Sequence, residues 1–202
     1  MIPDTSSVVR KLTDIEISSL LQELESNAGL WMQHPMNRTA LDDGVSIIIN
    51  WVTLIGDHYQ VQWTAKEKFP NTWKILESLA EGKQFGKVYW HRLDPGIDAK
   101  PHVDFNNPYI RRGDTYKRYN ILLDIPEGVK LVFDGTKEPI QDTKSIEYTV
   151  YDMAANKVHA VYNRSDKPFY AMVIDILNPD VQVYNDLYFL NEPNNPRLNR
   201  LK

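Results

Sequence analysis

Apolar and polar residues recur along this chain with two different periods, and the change falls near residue 88. Upstream, Ile17, Leu20, Leu21 and Leu24 return at helical intervals behind Thr13-Asp14-Ile15-Glu16, which has capping-box spacing, until Asn27-Ala28-Gly29. That pattern predicts an amphipathic helix with one buried stripe. Pro70-Asn71 opens a second predicted helix, with Trp73, Leu76, Leu79 and Ala80 inward and Gly82 as its stop. Between the two, Trp31 to Asp43 carries Pro35, Asn37 and Asp42-Asp43-Gly44 and reads as a loop. Val45 to Leu54 is apolar and β-branched enough for a buried strand, and Tyr59, Val61 and Trp63 alternate with Gln60, Gln62 and Thr64 as a half-buried strand does.

From Val88 the texture becomes short strands divided by turns. The predicted strands are Val88 to Leu93, Pro101 to Phe105, Tyr116 to Ile125, Val129 to Phe133, Ile146 to Tyr151, Lys157 to Tyr162 and Phe169 to Leu177. Glu127-Gly128 and Asp134-Gly135 supply turn chemistry between them. Many short strands at this spacing mean a sandwich or jelly roll, so the fold class is mainly β with N-terminal helices. The expected organisation is one globular unit in three parts: residues 1–87 pack on the core, residues 88–178 form it, and residues 179–202 extend from it. The last stretch, Asn191 to Lys202, is rich in Asn, Pro and basic residues and reads as a mobile tail or partner contact. All five Trp precede residue 91, where packing of helices onto a sheet is their expected use.

Composition narrows the classes. The 202 residues contain no Cys, which excludes a disulfide framework and a thiol nucleophile or ligand. A net charge of −4 with both signs mixed offers no basic stripe for nucleic-acid phosphates. With no signal-like N-terminus and no apolar run near membrane-spanning length, the chain reads as a soluble, cytoplasmic protein with no membrane part.

The chemistry concentrates in Val88 to Phe105, V-Y-W-H-R-L-D-P-G-I-D-A-K-P-H-V-D-F. In an extended backbone His102 and Asp104 project from one face, two adjacent ligands for a metal. His159, in the strand-like run V-H-A-V-Y-N, offers a third. Two His and one carboxylate make the facial triad of non-haem Fe(II) oxygenases, which leaves coordination positions open for cosubstrate and oxygen. The pair H-x-D is by itself unspecific, and the same residues fit a surface His beside a solvated Asp, with His159 a core histidine. Its setting adds weight, because it follows a strand and an Asp94-Pro95-Gly96 turn, and Pro101 biases Lys100 towards extended geometry. His34 and His58 have no carboxylate or His at ligand spacing and are set aside.

Several motifs together resemble the aspartyl/asparaginyl β-hydroxylase family of 2-oxoglutarate- and Fe(II)-dependent oxygenases. They are His91-Arg92-Leu93-Asp94-Pro95-Gly96, Pro101-His102-Val103-Asp104, Lys117-Arg118-Tyr119-Asn120, His159-Ala160-Val161-Tyr162-Asn163 and Met172-Val173-Ile174-Asp175. The resemblance covers Val88 to Ile176. It implies a double-stranded β-helix, the cupin-like jelly roll, with His102, Asp104 and His159 as catalytic metal ligands. It also implies that Arg118 and Asn120 face the cosubstrate and that His91 touches it. The cofactors implied are Fe(II) and 2-oxoglutarate, with O2 as co-reactant.

One departure stands out. Ten residues after the distal His the family usually places an Arg against the far carboxylate of 2-oxoglutarate, and here that position is Phe169. A buried carboxylate needs a cation, so Arg118 is the expected substitute, or Lys117 if strand parity is reversed. The other reading of Arg118 is a surface strand Arg beside Asp124 or Asp114. Arg164 and Lys167 read as solvated turn charges. Loop Asn106 to Thr115, with Arg111 and Arg112, is placed to flank the iron and touch substrate.

The expected activity is hydroxylation of an aspartyl or asparaginyl side chain in a polypeptide, or of a free amino acid, with the keto acid converted to succinate. Two rivals stand beside it. One is a cupin-type metalloenzyme that does not use 2-oxoglutarate, which Phe169 favours. The other is a non-catalytic jelly-roll binding protein, which the complete triad disfavours.

Overall fold

The computed structural model describes residues 8–36, 47–55, 63–80, 85–102, 115–132, 143–152 and 158–177 of the chain. The elements in order are β1 (Val8–Lys11), α1 (Asp14–Ser26), β2 (Met32–Met36), β3 (Ile47–Ile55), α2 (Trp63–Lys68), α3 (Pro70–Ala80) and β4 (Phe85–Leu93). After these come β5 (Asp98–His102), β6 (Thr115–Leu123), β7 (Val129–Val132), β8 (Thr149–Asp152), β9 (His159–Asn163) and β10 (Phe169–Leu177). They form a large antiparallel sheet in the order β1-β8-β6-β10-β4-β3-β2 and a small one in the order β5-β9-β7. From β4 onward the chain changes sheet at every step, large then small, seven strands in a row. That winding is a double-stranded β-helix, the jelly roll.

Both faces of the large sheet are buried, which explains why β10 reads as an almost unbroken apolar run rather than an alternating one. Val88, Trp90, Tyr119, Ile121, Leu123, Met172 and Ile174 join Leu20, Leu24, Phe69, Trp73 and Leu76 in a core on the helical side. The residues between them, Leu93, Leu122, Phe169, Ala171 and Tyr151, point the other way and meet Ala99, Val129, Leu131 and Val161 from the small sheet. The space between the sheets is thus closed at one end by hydrocarbon.

Local sequence decides the helices. Thr13 Oγ1 accepts from the Glu16 amide at 3.3 Å while a Glu16 carboxylate oxygen accepts from the Thr13 amide at 2.8 Å, the expected reciprocal cap of α1. Helix α3 is capped from outside: the buried Glu23 carboxylate of α1 accepts from the amides of Asn71 (2.6 Å) and Thr72 (2.9 Å) and from the Thr72 hydroxyl (2.6 Å). The Thr72 hydroxyl in turn accepts from the Trp90 indole of the sheet at 3.1 Å. Trp73 and Trp90 therefore pack helix against sheet, as expected of them.

Three expectations change. The loop predicted from Trp31 holds strand β2, and Pro35 is tolerated because β2 is the outermost strand of its sheet, where a missing N–H breaks no ladder. Trp63 starts helix α2 instead of ending a strand, since Ala65, Lys66, Glu67 and Lys68 are good helix formers and outweigh a short alternation. The predicted strand at Ile146 begins only at Thr149, because Thr143–Ser145 is a 3-10 turn and Tyr148 has φ +56°. The N-terminal part also does more than buttress: β1, β2 and β3 extend the large sheet. Residues 37–46, 56–62, 103–114 and 178–202, and with them the loop at Asn106 and the tail at Asn191, lie outside the described residues. Among the described residues no helix is long and apolar enough to cross a membrane.

Candidate active site

The turn after β4 sets the distance between the site and the closed end. Gly96 has φ +79°, a left-handed conformation that favours glycine, and its amide donates to the Asn163 carbonyl at 2.9 Å. The fully buried Asn163 side chain donates back to the carbonyls of Leu93 (2.9 Å) and Lys167 (2.8 Å). This clamp ties the end of β4 to the end of β9. From it β5 runs away antiparallel to β9, with Asp98 opposite Tyr162, Ala99 opposite Val161 and His102 opposite His159. Four residues of strand, about 13 Å, separate His159 from the clamp, so both imidazoles stand well away from the hydrocarbon plug.

His102 and His159 face each other with ring centroids 4.3 Å apart. His159 is buried and His102 half-buried. The His102 Nδ1 lies 2.6 Å from the Lys100 carbonyl oxygen, which can only accept, so the proton sits on Nδ1. A backbone carbonyl on Nδ1 is the usual way of making Nε2 the ligating nitrogen. Asp104, the expected third ligand, lies outside the described residues, and among the described residues no cluster of three His or carboxylate groups forms. Two imidazole nitrogens brought together from neighbouring strands fit an Fe(II) site as far as the donor set goes.

The large sheet presents its other candidates opposite this pair. On β6, Arg118, Asn120 and Leu122 point between the sheets, whereas Tyr119, Ile121 and Leu123 point to the helices. Asn120 is 4 % exposed and its Nδ2 has no hydrogen-bond partner. A buried amide donor left so costs roughly 1–3 kcal/mol, which a ligand acceptor would return. His91 shares the inward face of β4 with Tyr89, ring centroids 4.6 Å apart. Tyr151, opposite Asn120 on β8, is fully buried, and burial pushes its phenol far above the ordinary range, so it stays neutral.

Arg118 is no surface residue beside Asp124 or Asp114. It is 2 % exposed and pairs with Asp175, its register partner on β10, through Nε to Oδ1 at 2.6 Å and Nη2 to Oδ2 at 2.8 Å. Lys117 takes the opposite face, as strand alternation requires, and binds Asp152 at 3.2 Å, so it is corrected out of the ligand set. Phe169 does point inward, yet it is wholly buried against apolar neighbours and forms part of the plug. Arg164 is a turn charge bound to Asp98 at 2.6 Å, and Lys167 is exposed, both as expected.

Asp175, Tyr89 and Tyr151 carry no role in the sequence reading. Asp175 had a signal of its own: a carboxylate inside the apolar run Phe169–Leu177 requires a cation on the neighbouring strand. The tyrosines had none, since a strand Tyr is as readily core.

A family model described as Aspartyl/Asparaginyl beta-hydroxylase matches residues 14–179. No curated protein matches the chain in sequence. Among solved structures the chain is similar in fold to an oxidoreductase of the 2OG-Fe(II) oxygenase family from Burkholderia pseudomallei, at TM-score 0.52 and 15% identity, covering 78% of each chain. It is also similar to the viral collagen prolyl hydroxylase of Paramecium Bursaria Chlorella virus-1 in its 2OG complex, at TM-score 0.52 and 14% identity, covering 87% of this chain and 96% of that one. A third similar structure is the non-heme alpha ketoglutarate dependent epimerase of nogalamycin biosynthesis, at TM-score 0.54 and 14% identity, covering 91% of this chain and 83% of the other.

Proposed function

The chain belongs to the aspartyl/asparaginyl beta-hydroxylase family of 2-oxoglutarate- and Fe(II)-dependent oxygenases, and from there we propose that it hydroxylates an aspartyl- or asparaginyl-type side chain of a polypeptide, or a free amino acid. Membership sets aside both rivals, the metalloenzyme without 2-oxoglutarate and the non-catalytic binding protein. The observation that carries the site assignment is the cross-strand pair His102 and His159, with one ligating nitrogen already chosen by the Lys100 carbonyl.

His102, His159 and Asp104 would hold Fe(II), the His pair from adjacent strands of the small sheet. When bound, iron with 2-oxoglutarate supplies oxidation of a C–H bond to C–OH, coupled to loss of CO2 from the keto acid and formation of succinate. The protein's part is to bind, orient and keep dry. Asn120 Nδ2 would donate to a keto acid oxygen, the acceptor it lacks in the free protein. Arg118 would meet the far carboxylate through its guanidinium and His91 would flank the ligand on β4. The hydrocarbon of Leu93, Leu122, Phe169 and Ala171 closes the end of the space to water.

Anaerobic addition of Fe(II) and then 2-oxoglutarate tests this through the weak visible charge-transfer band of the chelate. Wild type is expected to show the band and His102→Ala to lose it. A band that survives in His102→Ala, or no band in wild type, would overturn the assignment. Substrate class is then read by mass spectrometry, as a gain of one oxygen on a peptide or on a free amino acid.

A further inference from the structure

The strand that carries His102 is irregular, and the irregularity falls just before the histidine. Ala99 to His102 is three steps along β5, whereas their partners Val161 and His159 are two steps apart on β9. One residue of β5 is therefore extra, a β-bulge at Lys100-Pro101. Its effect is on direction. Ala99 is buried between the sheets with Val161, so strict alternation from it would turn residue 101 inward and His102 outward. Instead Pro101 is exposed and His102 faces His159, ring centroids 4.3 Å apart.

The ladder ahead of the bulge explains its position. The Asn163 amide donates to the Ile97 carbonyl at 3.2 Å, which makes 97, 99 and 101 the β5 positions whose backbone bonds to β9 in an unbroken register. In that register residue 101 lies opposite His159 and owes its carbonyl an N–H. Proline has none. Although β5 is an edge strand, where proline is harmless when its nitrogen faces solvent, this phase aims the nitrogen at β9. A slip of one residue removes the conflict and brings His102 into the pairing position. The slip also accounts for the Lys100 carbonyl oxygen lying 2.6 Å from His102 Nδ1. In a regular strand carbonyls lie in the sheet while side chains stand off it, so that contact belongs to the bulge.

We infer that Pro101 is a positioning residue of the iron site: by denying β5 the unbroken register it turns His102 inward onto His159 and presents the carbonyl that fixes the imidazole's rotation. The inference rests on the reading of these two histidines as iron ligands. Pro101 acts only through His102, and its own side chain faces solvent.

The full chain is titrated anaerobically with Fe(II) alone against a competing chelator, and the metal-free protein is unfolded in urea. Pro101→Ala restores the N–H, which makes the unbroken register available, with residue 101 opposite His159 and His102 turned out. It is expected to bind Fe(II) more weakly by about ten- to a hundredfold, the usual effect of losing a group that orients a ligand, with the metal-free urea midpoint no lower than in wild type. Deletion of Pro101 removes the extra residue together with the proline, so regular alternation again carries His102 inward. The deletion is therefore expected to bind Fe(II) more tightly than Pro101→Ala, the reverse of the order that simple damage to a strand would give. Affinity unchanged in Pro101→Ala, or lost only in step with the urea midpoint, would overturn the inference alone, as would a folded deletion variant that binds more weakly than Pro101→Ala. If the deletion does not fold, Pro101→Ala decides the matter by itself. Wild type that fails to bind Fe(II), or that binds it as tightly after His102→Ala, would overturn the underlying reading, and this inference with it.

Discussion

At the scale of single residues, the positions that matter are those where a side chain contradicts its strand. Asn120 is a polar group among buried apolar neighbours, and its amide has no acceptor in the free protein. Asn120→Leu should therefore raise the stability of the ligand-free protein by about 1 kcal/mol, the penalty of an unmet donor, while weakening 2-oxoglutarate binding. Chemical denaturation and the anaerobic titration measure the two halves, and a variant that loses stability without losing affinity would make Asn120 a framework residue. Phe169 is the converse case. It occupies the place where the resemblance leads one to expect an Arg, but its surroundings are hydrocarbon. Phe169→Arg is expected to cost about 3 kcal/mol or more in denaturation experiments and not to restore an acid-binding cation, because the charge would be buried without a partner.

At the scale of elements, helix α1 is held by its own first turn and by Arg10 of β1, which donates to both carboxylate oxygens of Glu16 at 2.9 Å. Those bonds, more than the Thr13 cap, bring the Glu16 pKa from 4.5 to about 2. A lowered folded pKa means that Glu16 contributes stability above pH 4.5 and loses it as pH falls from there towards 2. Arg10→Ala should flatten the stability curve across that window, as followed by urea midpoints at several pH values. The capping box, the Pro70 helix start and the existence of the strands from β4 to β10 were legible because short-range chemistry specifies them, but the bounds of β5, which begins at Asp98 and not at Pro101, and of β8 were not. Strand β2 and helix α2 were not: the first depends on its place at a sheet edge, and the second is set by helix propensity in a short segment with no second turn signal.

At the scale of the whole molecule, Glu23 joins three layers, accepting from the N-terminus of α3 while Thr72 passes the link on to Trp90 of the sheet. Glu23→Ala strands three donors and should cost about 3 kcal/mol, read from the denaturant midpoint at constant m-value. Fe(II) and 2-oxoglutarate bind only the folded chain, so their joint addition should raise the thermal midpoint and a chelator should reverse it. Absence of any shift would mean that the His102 and His159 pair is structural. What the sequence by itself determined is the local part: strand periods, caps, turns, and the order of His102, Asp104, Arg118, Asn120 and His159, because each depends on neighbours a few residues away. Only the tertiary structure decided which face each strand turns inward, and hence that Arg118 and not Lys117 lies between the sheets. It also decided that Asp175 lies across from Arg118 and that His102 lies across from His159. Register between strands 57 residues apart is selected by burying both faces of one sheet at once, a condition that no short stretch of sequence contains.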